Sequence, residues 1–235
     1  MLDLMKLELK KTNIGTYIHS TFVISIVLLG FIYLLAYMPR VNPNDPNLDL
    51  FVSYKNIISL FGALSMATFC ILASVMYSRF VIEEYTGKRV ILLFSYPTSR
   101  EKIFVSKIII VTLFTIISML ICNTLIYTIF GLSETFFPLV KDTITLKVIT
   151  KAITTTMIMT VSAVGLSILS MAIGFTKKST PATIVSAILL CSIVTNISSG
   201  TLNSNTLAVI FMTITILAGI IAAKMIVKKI NCMEV

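Results

Sequence analysis

RFVIEEYTGKRVILLFSYPTSREKIFVSK, from Arg79 to Lys107, is the longest polar-rich interruption in an otherwise apolar chain. It carries Arg79, Lys88, Arg89, Arg100, Lys102 and Lys107 together with Glu83, Glu84 and Glu101. Apolar runs long enough to cross a bilayer flank it on both sides. A polar segment held between two such runs reads as an interhelical loop at a membrane face.

The whole composition agrees. Hydrophobic residues make up 57% of the 235 and charged residues 12%, where a soluble domain carries roughly 25% charged residues. Mean hydropathy is +0.98. The net charge of +9 sits at the ends of apolar runs, not on one basic face. It therefore points to the membrane's charge asymmetry and away from nucleic acid. Cys70, Cys122, Cys191 and Cys232 form no CxxC or Cys/His spacing, and His19 is the only histidine. A metal site or disulfide framework is not expected.

A span needs roughly 20 apolar residues. The sequence offers six, at about 14–37, 57–80, 103–130, 148–175, 182–197 and 206–227. All are expected to be α-helices of one all-α transmembrane domain covering 1–235. Pro39, Pro43 and Pro46 break the chain after the first span. The turn TKKSTP precedes the fifth, with Ser179 or Thr180 as helix cap and Pro181 at the first position. The fifth is short and runs into the polar stretch SSGTLNSN. In residues 1–13, Leu2, Met5 and Leu9 share a helical face flanked by Lys6 and Lys10, which fits a helix lying in the membrane interface. The first apolar run is too long for the core of a cleavable signal.

Six spans put both termini on one side. Of the 19 basic residues, fourteen fall on the terminal side and five (Arg40, Lys55, Lys141, Lys147 and Lys151) on the other. Both termini, and the loop 81–102, are expected in the cytosol.

No span carries Asp or Glu near its middle. Ion- and proton-coupled transporters use such charges, and intramembrane proteases need paired carboxylates or histidine ligands. An intramembrane enzyme is thereby disfavoured. Energy for any uphill transport would have to enter from outside the bundle. The spans do hold mild polar groups. Thr155, Thr156 and Thr160 in the fourth are the candidate pathway lining, against the plainer reading that each bonds its own helix backbone. Small residues four apart, Ala63 with Ala67, Ala218 with Ala222 and Gly219 with Ala223, allow close helix approach.

Within the central loop, the second span is expected to continue as helix through Tyr85, with Glu84 and Lys88 four apart in the favourable order. Gly87 is a stop. Val90 to Phe94, including Leu93, form an apolar strip too short to span, and Pro97 ends it. Thr98-Ser99-Arg100-Glu101 fits a capping box with Thr98 as the cap. The loop thus reads as helix, break, helix: a shaped surface rather than a tether.

Glu83/Glu84, Gly87-Lys88, the apolar strip, Pro97-x-Ser99-Arg100, Ile103 and Lys107 resemble the permease subunits of type-2 ATP-binding-cassette (ABC) exporters. The narrower resemblance is to small bacterial permeases of peptide export and antibiotic immunity. The family usually shows one Glu where this chain has two. The resemblance implies a multi-pass protein of the bacterial cell membrane that is not itself an enzyme. It implies a separate ABC ATPase subunit holding ATP and Mg, a second permease chain (identical or a paralogue), and no cofactor in this chain. No GxxxxGKS or GxxxxGKT phosphate loop occurs in the sequence, in keeping with an external ATP site. On the same resemblance Glu83, Glu84, Gly87, Lys88, Val90, Leu93, Phe94, Pro97, Arg100 and Lys107 form the partner-coupling region. Glu83 or Glu84 would pair with basic groups, Val90 to Phe94 would fill a groove on the partner, and Arg100 and Lys107 would anchor the loop at lipid headgroups. A six-span scaffold or sensor that binds a cytosolic partner without transport is the alternative from another class.

Overall fold

The structure is a computed structural model that describes residues 8, 14–41, 53–85, 99–137, 139–140, 142, 145–200 and 205–231. Among them are six helices and no strand: α1 Ile14–Val41, α2 Tyr54–Tyr77, α3 Arg100–Phe136, α4 Leu146–Lys177, α5 Thr180–Gly200 and α6 Asn205–Asn231. A π-helical turn, Ser78–Ile82, extends α2. Five helices are long and apolar enough to cross a membrane, and the apolar part of α5, Thr180–Thr195, is shorter. The helices overrun the apolar windows of the sequence. α1 passes through Pro39, which has only its last turn left to disturb. α3 continues to Phe136 and takes Glu134, a loop residue by hydropathy, into its last turn.

α2 is the central helix, packed on α4, α5, α3 and α1. It buries Ser59, Gly62, Ala63, Ser65, Ala73 and Ser74 among its larger residues, and small side chains let neighbouring backbones come close. α4 and α6 touch backbone to backbone. A Cβ added to Gly165 would lie 2.6 Å from the Thr215 carbonyl oxygen, and one added to Gly219 would lie 3.1 Å from that of Gly165. α1 and α6 are outermost. Their exposed rows, Phe22, Val23 and Ile26 on α1 and Ile210, Ile214, Leu217 and Ile221 on α6, are wholly apolar, which suits lipid and not water.

α4 and α5 are joined by a tight turn. Lys178 adopts a left-handed conformation, φ 49°, and the amides of Lys178 and Ser179 cap the Phe175 and Gly174 carbonyls at 3.3 and 3.2 Å. This closes the carbonyl end of α4 and sets α5 antiparallel to it. Two buried apolar clusters fill the bundle. One surrounds Phe61, Met66 and Phe69. The other gathers Tyr77, Phe80, Tyr85, Phe104 and Phe175 around the π turn.

Candidate functional site

The π turn reshapes the end of α2. Glu83 N–H donates to the Ser78 carbonyl at 3.0 Å, an i to i+5 bond, and Tyr85 N–H returns to Val81 at 3.0 Å. One extra residue in the turn changes which side chains face inward. Phe80, Val81 and Ile82 are all buried, and so is Glu84, at 8% exposed. Glu83 is half-buried and Arg79 exposed. The expected straight helix through Tyr85 is thus replaced by a π turn and a bend, because the apolar run Phe80–Ile82 packs on three helices at once.

Two turns into α3, Lys107 is completely buried. Its ammonium donates to Glu84 Oε2 at 2.6 Å and to Glu8 Oε2 at 2.7 Å. A buried lysine is tolerated only when paired, and here two short charge-assisted bonds hold it. This corrects the headgroup role expected for Lys107: its cation is turned inward onto two carboxylates. It also separates the two glutamates, since Glu84 and not Glu83 reaches Lys107. The cluster joins three parts of the chain, which are the N-terminal segment, the exit of α2 and the entry of α3.

Three rings close the site. Tyr85 stacks edge-on against Phe104 and Phe175 at centroid distances of 5.9 and 5.8 Å, and those two lie 6.2 Å apart. The Tyr85 hydroxyl is buried with no hydrogen-bond partner among the described residues. Burial, with the Glu84 and Glu8 carboxylates nearby, pushes this phenol above its ordinary range. On the α5 side, a Cβ on Gly174 would collide with Thr183 and lie 2.6 Å from Ile82 Cδ1. The π turn therefore sits directly on the α4–α5 junction.

The loop leaves this cluster after Tyr85 and returns at Ser99. Gly87, Lys88, Val90, Leu93, Phe94, Pro97 and Thr98 lie outside the described residues. Ser99 is the N-cap of α3 in extended conformation, without a side-chain cap bond. Its carbonyl accepts from Lys102 and Ile103 at 3.0 and 3.3 Å. Glu101 then falls at the second helical position, so the capping-box spacing from Thr98 is not met. Glu101 still favours the positive end of the helix dipole.

Thr155, Thr156 and Thr160 are buried inside the chain's own bundle. The Thr155 methyl faces Gly62, 2.8 Å from where its Cβ would be. The Thr156 and Thr160 hydroxyls return to the Ala152 and Thr156 carbonyls at 2.8 and 2.7 Å. Thr155 thus packs α4 on α2, and all three hydroxyl-bearing side chains lie within the chain's own bundle.

At the opposite end, Glu134 is buried. Its Oε2 accepts from the Tyr54 hydroxyl at 2.8 Å and from the Leu139 and Val140 amides at 3.0 and 3.4 Å. The only signal for this site in the sequence is one acid shortly before the apolar run FFPLV. In mid-bundle, Ser65 donates to Asn123 Oδ1 at 2.8 Å, tying α2 to α3.

A family model described as ABC-2 family transporter protein matches residues 4–192. An uncharacterized protein of Bacillus subtilis (strain 168), YcbO, is 26% identical over 199 residues, covering 85% of this chain and 86% of its own length. No solved structure matches.

Proposed function

The chain belongs to the ABC-2 family of transporter proteins, and from that premise we propose that it is the permease subunit of an ATP-driven exporter in the bacterial cell membrane. ATP and Mg are bound by a separate ABC ATPase subunit, and a second permease chain completes the pathway. The loop 81–102 is the docking surface. Closure of two ATPase subunits on ATP pushes that loop, and a two-state bundle converts the push into alternating access.

The observation that supports this reading best is the Glu8–Lys107–Glu84 cluster. A docking loop transmits force only if its roots are stiff. Both roots of 86–98 are held here by buried charge pairs and by the Tyr85–Phe104–Phe175 rings. Movement of the loop would therefore reach α2 and α3 together, and through Ile82 and Gly174 the start of α5.

The test is capture of the tagged chain from its native membrane in mild detergent, with identification of what accompanies it. Co-purification of a protein carrying a phosphate-loop motif, with ATPase activity in the complex, is expected. Capture of a cytosolic partner lacking that motif would support the scaffold instead.

A further inference from the structure

Cys70 and Cys191 lie 121 positions apart in sequence but face each other across the α2–α5 interface. The register of the two antiparallel helices brings them together. Nearest the π turn, Ile82 of α2 and Thr183 of α5 meet over Gly174. Further along, Ser74 of α2 shares a 2.7 Å hydrogen bond with Ser170, and Ser186 of α5 donates to the Ser170 carbonyl at 3.4 Å. The next turn in each helix carries Cys70 and Cys191, which that register sets side by side within one buried cluster. Both are buried, at 0% and 4% exposed. The interface around them is built from small side chains, with Ala73, Ser74 and Ala187 almost wholly buried, so the two backbones approach closely. Cys122 stands apart on α3, where the Ser25 hydroxyl donates to its sulfur at 2.8 Å.

We propose that Cys70 and Cys191 are a redox-convertible thiol pair whose oxidation staples α2 to α5. The oxidant is a membrane-permeant two-electron hydrogen acceptor of the quinone or azodicarboxamide class. Two S–H bonds break and one S–S bond forms. The two protons and two electrons pass to the acceptor, giving a hydroquinone or a hydrazine. Such an oxidant dissolves in lipid, and it needs to cross only one layer of side chains, because Ile188, Leu189 and Ile193 beside Cys191 form the exposed face of α5. The pair is disposed for exchange with small apolar oxidants and with small uncharged reductants such as dithiothreitol, and is shielded from a charged thiol such as glutathione. α2 leads directly into the π turn and Glu84, so a covalent link there fixes the helix that would carry the docking push. That arrest, though not the linkage, rests on the transporter reading above.

The experiment treats the purified full-length chain with diamide, alkylates the remaining thiols and maps the peptides by mass spectrometry. The expected result is one dithiothreitol-reversible link between the Cys70 and Cys191 peptides, with Cys122 still alkylated. Loss of that link in Cys191→Ser is also expected. The wild-type map does not depend on that variant folding. Oxidation that consumes Cys122 or joins two chains while Cys70 and Cys191 remain alkylated would overturn the pairing. In the captured complex, diamide is expected to lower ATPase activity to background in wild type, reversibly, and to leave the Cys191→Ser complex active. Equal inhibition of both, or a formed link without inhibition, would overturn the arrest. Because the link is read on the chain alone, failure to capture an ATPase would count against the permease and leave the thiol result standing.

Discussion

The Lys107 ammonium lies 2.6 Å from the Glu84 carboxylate, with Lys107 fully buried and the Glu84 side chain 10% exposed. The bond spans 23 residues of chain and ties the exit of one membrane helix to the entry of the next. Removing one member of such a pair strands charge in a poorly solvated site. Lys107→Met, which strands two carboxylates, is expected to cost about 3–5 kcal/mol. Thermal unfolding in detergent would measure it. Glu84→Gln should cost less, because Lys107 keeps Glu8 at 2.7 Å. Glu83→Gln should cost least, because Glu83 is half-buried where Glu84 is 8% exposed. Equal effects of the two glutamine substitutions would contradict the separation of roles.

The α4–α6 contact gives a sharper steric test. Gly165→Ala places a methyl 2.6 Å from a backbone carbonyl that no rotamer change can move, so the helices must separate, at a cost of about 1–3 kcal/mol or more. Gly30 has nothing within 4 Å of an added Cβ. Gly30→Ala should be neutral or stabilise by up to about 1 kcal/mol, since alanine loses less chain entropy in a helix. The two melting temperatures, compared in one detergent, decide this.

Tyr54→Phe keeps the edge-on contact with Phe130 at 6.5 Å and removes only the hydroxyl that donates to Glu134. Hydrogen bonds to charged groups are worth about 1.5–3 kcal/mol, and a loss in that range is expected. A neutral result would mean that the two amides alone suffice to hold Oε2.

The Tyr85 hydroxyl offers the opposite case. It is buried without a partner among the described residues, so Tyr85→Phe should be neutral or slightly stabilising. Tyr85→Ala removes the ring between Phe104 and Phe175 and should cost about 3–5 kcal/mol. A penalty above about 1 kcal/mol for Tyr85→Phe would show that the hydroxyl is bonded when the loop is in place.

Hydropathy located the six helices seen among the described residues, five of which are long and apolar enough to cross a membrane, because such a helix declares itself by length and apolar content alone. It misjudged their ends. Glu134 sits in the last turn of α3 because Tyr54 and two amides solvate it, and those donors lie elsewhere in the chain or beyond the helix end. The same holds for Lys107. As one basic residue among several near Arg100 and Lys102, it reads locally as surface charge, and only its pairing with Glu8, 99 residues away, turns it inward. The π turn has no local signature, since the backbone inserts a residue there to bury Phe80, Val81 and Ile82 together. The threonine row was read as a candidate lining because composition cannot tell which face of α4 meets α2. The Gly62–Thr155 contact shows that Thr155 is on that face. The pairing of Cys70 with Cys191 was equally invisible, as it depends on the register of two antiparallel helices.

The central claim is that an ATPase docks on the loop rooted at Glu84 and Lys107. Photocrosslinking in native membranes tests it most directly, with a photoreactive residue replacing Phe94 in the loop or, separately, Phe136 at the opposite end of the bundle. The account predicts a crosslink from position 94 to a protein carrying a phosphate-loop motif, and none from position 136. A crosslink to that protein from position 136 alone, or from neither position while the complex is intact, would contradict it.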